Sequence, residues 1–200
     1  MNPSLHDEAM EWPYRRTATT HGHLMDFVVD EISTPDGGTM VRNYLEHPNA
    51  VGIIAMDEQS RIVVEWQYRH PVRRKLVEAP AGLCDQAGEA LLATAQRELA
   101  EEVGLAASTW HILLDIYATP GSCTQSTRVF LAQGLTKVPR PDGFKLEAEE
   151  ADMAIGWADL DDLVDAIYAG KVMNPTIVTG IMALKTALLT GGVERLRPAV

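Results

Sequence analysis

The chain has 200 residues, 46% of them apolar and 22% charged, which suits one domain with a real hydrophobic core and room for a small appendage. That composition excludes a largely disordered chain, a collagen-like fibre and a coiled-coil rod. Seventeen Lys and Arg against 28 Asp and Glu give a net charge of −11, a field that repels nucleic acid and anionic lipid, so neither is an expected partner.

Residues 1–23 mix His6, Asp7, Glu8, Glu11, Arg15 and Arg16 with no apolar run. They read as a polar lead-in with room for a short strand, and as neither a signal nor a transit peptide. No stretch of the chain reaches the roughly 18 consecutive apolar residues of a membrane span, so a soluble, cytoplasmic chain is expected. Residues 25–33 favour a strand, Pro35-Asp36-Gly37-Gly38 supplies a turn, and Thr39–Glu46 alternates well enough to be the hairpin partner. Residues 51–56 and 61–68 are apolar runs broken by Asp57-Glu58-Gln59-Ser60, and read as core strands. A helix is expected over 89–103, preceded by Gly88 and capped by Gly104. Two more strands follow at 110–117 and 127–135, separated by the turn at Thr119-Pro120-Gly121-Ser122. Residues 139–150, with Pro139, Pro141 and Gly143, read as a loop. Residues 160–169 and 176–189 read as helices, the second with Ile177, Ile181, Leu184 and Leu188 on one face. Residues 191–200 read as a tail. Cys84 and Cys123 have no metal-site spacing and form no C-x-x-C pair, so two free thiols are expected. Strands first, a helix in the middle and helices at the end describe an α+β or α/β/α layered domain with a mixed sheet.

Chemistry concentrates in residues 81–105. At 100° per residue Leu92, Ala95, Leu99 and Val103 share one side of the helix, while Glu98, Glu101 and Glu102 gather within one turn of another. Like charges at these spacings cost a few tenths of a kcal/mol per pair, and Arg97 is the helix's one cation. A solvated acidic face explains such a triplet. So does a hard divalent cation held by carboxylate oxygens, as Mg²⁺ prefers.

The frame around the triplet resembles the signature box of the Nudix hydrolases, G-x5-E-x7-R-E-U-x-E-E-x-G-U with U apolar. Glu89, Arg97, Glu98, Leu99, Glu101, Glu102, Gly104 and Leu105 all fall in register. Gly82 lies seven residues before Glu89, so the loop ahead of the helix is one residue longer than the pattern. The run Gln67-Tyr68-Arg69-His70-Pro71, the segment Glu78-Ala79-Pro80-Ala81-Gly82 and Pro120 sixteen residues after Gly104 are similar to the ADP-ribose pyrophosphatases of bacteria, especially actinobacteria. That subgroup often carries an aromatic and an acidic residue after the Pro-Gly turn, where this chain has Ser122 to Gln125.

The resemblance implies a Nudix-like α/β/α sandwich with a mixed sheet over 46–195 and an N-terminal antiparallel strand segment over 1–45, the latter a dimerisation arm. It implies hydrolysis of the pyrophosphate of ADP-ribose to AMP and ribose 5-phosphate, with two to three Mg²⁺ (or Mn²⁺) ions. Glu98, Glu101, Glu102 and the carbonyl of Ala81 become metal ligands. Glu102 and Glu149 become catalytic groups, with Glu149 the base, chosen over Glu147 and Glu150 by the segment Glu149-Glu150-Ala151-Asp152-Met153. Arg69, Glu78, Gly82 and Gly121 become substrate contacts, and Arg97 pairs with Glu89 to orient the carboxylates. The implied partners are a nucleoside diphosphate and a second copy of the chain in a homodimer. A Nudix hydrolase of another nucleoside diphosphate derivative such as a nucleotide sugar, a non-catalytic Nudix module that senses such ligands, and an acidic interaction domain are the competing expectations.

Overall fold

A computed structural model describes residues 5–141 and 152–199, in two compact units. The first takes the residues up to His47 together with Thr119–Thr124. Its strands β1 (Tyr14–His21), β2 (Asp26–Ser33) and β3 (Thr39–Glu46) form an antiparallel sheet in that order. The β2–β3 hairpin closes through the Thr34 N–H on the Gly38 carbonyl at 3.0 Å, with Asp26 opposite Glu46 and Ser33 opposite Thr39. Val28 and Asp30 are the buried residues of β2. Burying a carboxylate costs several kcal/mol unless it is paired, and Asp30 is paired: Arg16 Nε donates to it at 2.9 Å and the Tyr44 hydroxyl at 2.6 Å. Arg16 also reaches Glu46 at 2.7 Å. The guanidinium holds the Asp30 carboxyl below its ordinary range, while burial, with Asp30 beside it, pushes the Tyr44 phenol up to about 12. The Thr119–Thr124 segment is sewn to β3, with the Leu45 N–H on the Ser122 carbonyl at 2.9 Å and the Thr124 N–H on the Leu45 carbonyl at 3.0 Å.

The second unit takes Pro48–Ala118 and the chain from Gln125 onward. In chain order it holds β4 (Ala50–Ala55), β5 (Arg61–Arg69), β6 (Arg74–Glu78), β7 (Ala81–Leu83), α1 (Leu91–Val103), β8 (Leu105–Ile116), β9 (Thr127–Lys137), β10 (Ala154–Asp159), α2 (Leu160–Tyr168), α3 (Pro175–Leu189) and β11 (Arg197–Pro198). A five-stranded mixed sheet runs β11-β8-β9-β4-β7, with β4 and β9 parallel and the other neighbours antiparallel. A second, antiparallel sheet runs β10-β5-β6. Side chains alternate across the strands. Val51, Ile53, Phe130 and Ala132 face α1, packing on Ala95 and Leu99, whereas Ile54, Val129 and Leu131 pack with Leu163 of α2 and Ile177, Ile181 and Leu184 of α3. The result is the expected α+β, α/β/α sandwich with a mixed sheet. α3 starts where Pro175 follows Asn174, whose side-chain oxygen accepts from the Thr176 N–H at 2.9 Å. None of the described helices is long and apolar enough to cross a membrane, and neither Cys84 nor Cys123 forms a disulfide.

Several elements depart from the sequence reading. β1 is a full eight-residue strand, yet almost all of its residues are exposed, which leaves no alternation to read. β6, β7 and β10 fell in stretches given no structure, and β8 begins at Leu105 rather than at residue 110. The tail contains a 3₁₀ turn at Val193–Arg195 and the strand β11, which pairs with β8 through Arg197 opposite Ile112. α1 starts at Leu91, two residues later than expected.

Candidate active site

The 13 residues of α1 are mostly Ala, Leu, Glu, Gln and Arg, good helix formers. Its rotation is set by Ala95 and Leu99, both fully buried against the sheet. Leu92 and Val103 pack at the edge of the same cluster. Gly104 ends the helix in the left-handed region at φ 67°, its N–H bonding back to the Ala100 carbonyl at 3.1 Å. Once that rotation is fixed, Glu98 and Glu102 turn to the side where β7 runs alongside the helix.

Arg97 gathers the acidic groups. Its Nη1 donates to Glu98 at 2.8 Å and to Glu101 at 3.0 Å, while Nε and Nη2 reach Glu89 at 3.3 and 3.2 Å. The Thr94 hydroxyl donates to Glu89 at 2.9 Å. Arg97, with help from Thr94, keeps the Glu89 carboxyl below its usual range, and its carboxylate partners, Glu89 foremost, raise the guanidinium itself still further. Glu102 is 6% exposed and accepts the Ala81 N–H at 3.0 Å. Gly82 completes the close approach: a Cβ on it would lie 2.1 Å from the Glu98 carboxylate, so a side chain here would evict that group. The predicted pairing of Arg97 with Glu89 is present in the geometry, while Ala81 meets Glu102 through its N–H and Gly82 lies against Glu98.

Arg69 and Glu78 meet as a bidentate pair, with Nε at 3.1 Å and Nη2 at 2.8 Å from the two carboxylate oxygens. Glu78 is 2% exposed and lies directly opposite Glu65, itself buried, across the β5–β6 ladder. Gly121 lies in the Thr119–Thr124 segment of the first unit. Gln125 donates from Nε2 to the Pro48 carbonyl at 3.1 Å. Glu147, Glu149 and Glu150 lie outside the described residues. Two residues went unremarked in the sequence: Thr94, which holds Glu89, and Arg140, whose Nη2 donates to the Glu102 carbonyl at 2.5 Å. Thr94 sits five residues from Glu89, a spacing that could have drawn attention. Arg140 is 38 residues from Glu102 and gives no local signal.

Whether these residues suit a divalent cation can be asked of the donors themselves. Glu98, Glu101, Glu102 and the Ala81 carbonyl are all oxygen ligands, the set that Mg²⁺ and Mn²⁺ prefer. Glu98 and Glu102, four apart on a helix, are neighbours on its surface, and the missing Gly82 side chain leaves the room that the Glu98 carboxylate takes. Among the described residues no three acidic, His or Cys side chains already meet at one point. Arg97 engages Glu98 and Glu101, and the Ala81 N–H engages Glu102. The donor set fits the ion.

A mixed sheet with α1 on one face and α2 and α3 on the other is, among the described residues, an α/β/α sandwich with a cluster of carboxylates on α1. The chain belongs to the Nudix family: the family model described as the NUDIX domain matches residues 46–176. It is 43% identical over 169 residues to the ADP-ribose pyrophosphatase of Mycobacterium tuberculosis, covering 84% of this chain and 79% of that one. It is 35% identical to the ADP-ribose pyrophosphatase of Bacillus subtilis, covering 84% of this chain and 89% of that protein. It is also 30% identical to the methanol dehydrogenase activator of Bacillus methanolicus, covering 82% and 86%. A crystal structure of an ADP compounds hydrolase superposes with a TM-score of 0.75 at 18% identity, covering 93% of this chain and 99% of that one, a likeness of fold.

Proposed function

We propose that the chain is a Nudix hydrolase that cleaves the diphosphate of ADP-ribose to AMP and ribose 5-phosphate. The observation that carries this reading is its 43% identity, over 84% of its length, to a protein named ADP-ribose pyrophosphatase. The register of the helix glutamates with Ala81 and Gly82 supports it. Water adds to one phosphorus, the P–O–P bridge breaks, and the bridging oxygen leaves on the other phosphate. Glu98 and Glu102, with Glu101 and the Ala81 carbonyl beside them, would hold Mg²⁺ or Mn²⁺, two to three ions. Bound there, such ions supply charge neutralisation for the diphosphate. Arg97 keeps Glu89 ionised and holds Glu89, Glu98 and Glu101 together. Arg69, oriented by its two bonds to Glu78, presents a guanidinium to a substrate phosphate, with Gly82 as a backbone contact. Glu149 takes the proton of the attacking water.

The test is hydrolysis of ADP-ribose, with product identification, beside a panel of nucleotide sugars. Glu102→Gln should lower kcat/KM about a hundredfold or more and weaken metal binding. Glu149→Gln should lower kcat by about a hundredfold with little change in KM. Preference for a nucleotide sugar, or equal activity in all three proteins, would overturn the assignment. The N-terminal strands serve as the arm of a homodimer; a single-chain mass by light scattering would refute that.

A further inference from the structure

We infer that Arg140 is a positioning residue of the metal site, acting through the last turn of α1; the inference rests on the reading above. The three glutamates of this helix stand in its final two turns, and its last turn contains no Lys, Arg or His. That is the electrostatically unfavourable end. Unsatisfied carbonyls there carry a partial negative charge that disfavours carboxylates and favours cations, and the glutamates repel one another besides. Arg97 answers Glu98 and Glu101 from within the helix. The cation at the end comes from outside. Arg140 Nη2 donates to the Glu102 carbonyl at 2.5 Å, and two residues earlier the Val138 N–H donates to the Gly104 carbonyl at 2.9 Å. These two bonds fasten the chain leaving β9 onto the terminal turn of α1.

The local sequence prepares the contact. Arg140 stands between Pro139 and Pro141. A proline fixes its own φ and restricts the residue before it to extended conformations, so Arg140 has little backbone freedom to lose. Glu102 is then gripped twice, its main chain by Arg140 and its carboxylate by the Ala81 N–H at 3.0 Å. A ligand whose backbone is pinned meets the ion in one place; one on a fraying turn does not. Arg140 therefore sets metal affinity while having no direct part in the reaction.

The experiment titrates Mn²⁺ alone into the full chain, followed by electron paramagnetic resonance, for the unaltered protein, Arg140→Ala and Arg140→Lys, with ADP-ribose kinetics across Mn²⁺ concentration. Arg140→Ala should bind Mn²⁺ about tenfold more weakly, the usual size of an outer-shell loss. Arg140→Lys should recover most of that. At saturating Mn²⁺ the kcat and KM of Arg140→Ala should return to within about twofold of the unaltered values. Mn²⁺ affinity unchanged in Arg140→Ala would overturn the inference, and so would a kcat that stays low at saturation, since Arg140 would then act at the substrate. Should Arg140→Ala not fold, Arg140→Met, which keeps the aliphatic stem but loses both donor and charge, is read by the same two criteria. Failure of the unaltered protein to bind Mn²⁺ would instead sink the proposed function, and this inference with it.

Discussion

Glu98 owes its place as much to an absence as to its own backbone. Gly82 has an ordinary φ, so its value is purely spatial: a methyl group there would overlap the Glu98 carboxylate at 2.1 Å. The obstructing atoms are the far end of a flexible side chain, which can swing away, so the substitution should spare the fold and disturb the site. Gly82→Ala is expected to keep its melting temperature within a few degrees while turnover falls about tenfold or more. Thermal melts beside steady-state kinetics check this, and full turnover would show that Glu98 is not where it matters. The glutamates were legible in the sequence because helical pitch alone brings positions 98, 101 and 102 to one side. Arg69 and Glu78 were legible singly but not as a pair. Their contact depends on the β5–β6 ladder folding residue 69 back beside residue 74, and Lys75 and Arg74 hid that ladder from the apolar pattern.

At the scale of elements, legibility followed burial. β4 and β5 bury most of what they carry, and α3 buries Ile177, Ile181 and Leu184 along one face; all three were readable from their apolar pattern. β7 has three residues and β11 two, too short for any period. β1 is almost wholly exposed, so its pairing with β2 leaves no apolar trace. What that first sheet does carry is a buried charge. Asp30 sits on the central strand, and Arg16 of β1 and Tyr44 of β3 both donate to it, so one carboxylate joins all three strands. Its pKa is held below the ordinary 3.8, first by the Arg16 hydrogen bonds. A group whose folded pKa is depressed contributes stability that is complete above the unfolded value and is lost as pH falls through the folded one. Asp30→Asn should therefore be less stable than the unaltered chain at pH 7. The gap should close once the pH drops well below 3.8. Urea midpoints of the two proteins at pH 7 and in strong acid measure this directly, and a gap that persists in acid would mean that Asp30 works by shape and not by charge.

The whole molecule sets the field in which the site operates. A net charge of −11 sets up a field that repels polyanions, and the same charge draws divalent cations toward a helix that collects acidic groups. Part of any Mg²⁺ or Mn²⁺ affinity must then come from distant carboxylates and not from ligands. The two contributions differ in range. Contacts within a few ångströms are scarcely screened, whereas the summed field of the surface acts over the Debye length, about 30 Å at 0.01 M salt and about 8 Å at 0.15 M. Raising KCl between those concentrations should weaken Mn²⁺ binding several-fold, with Glu102→Gln showing the same relative slope from a lower starting affinity. Neutralising two exposed carboxylates remote from α1, such as Asp161 and Glu194, should flatten the slope and leave affinity at high salt unchanged. Isothermal titration at both concentrations separates these contributions. An affinity indifferent to salt would place the entire attraction in the oxygen atoms around Arg97, and the acidic surface would then have to be explained by something other than metal capture.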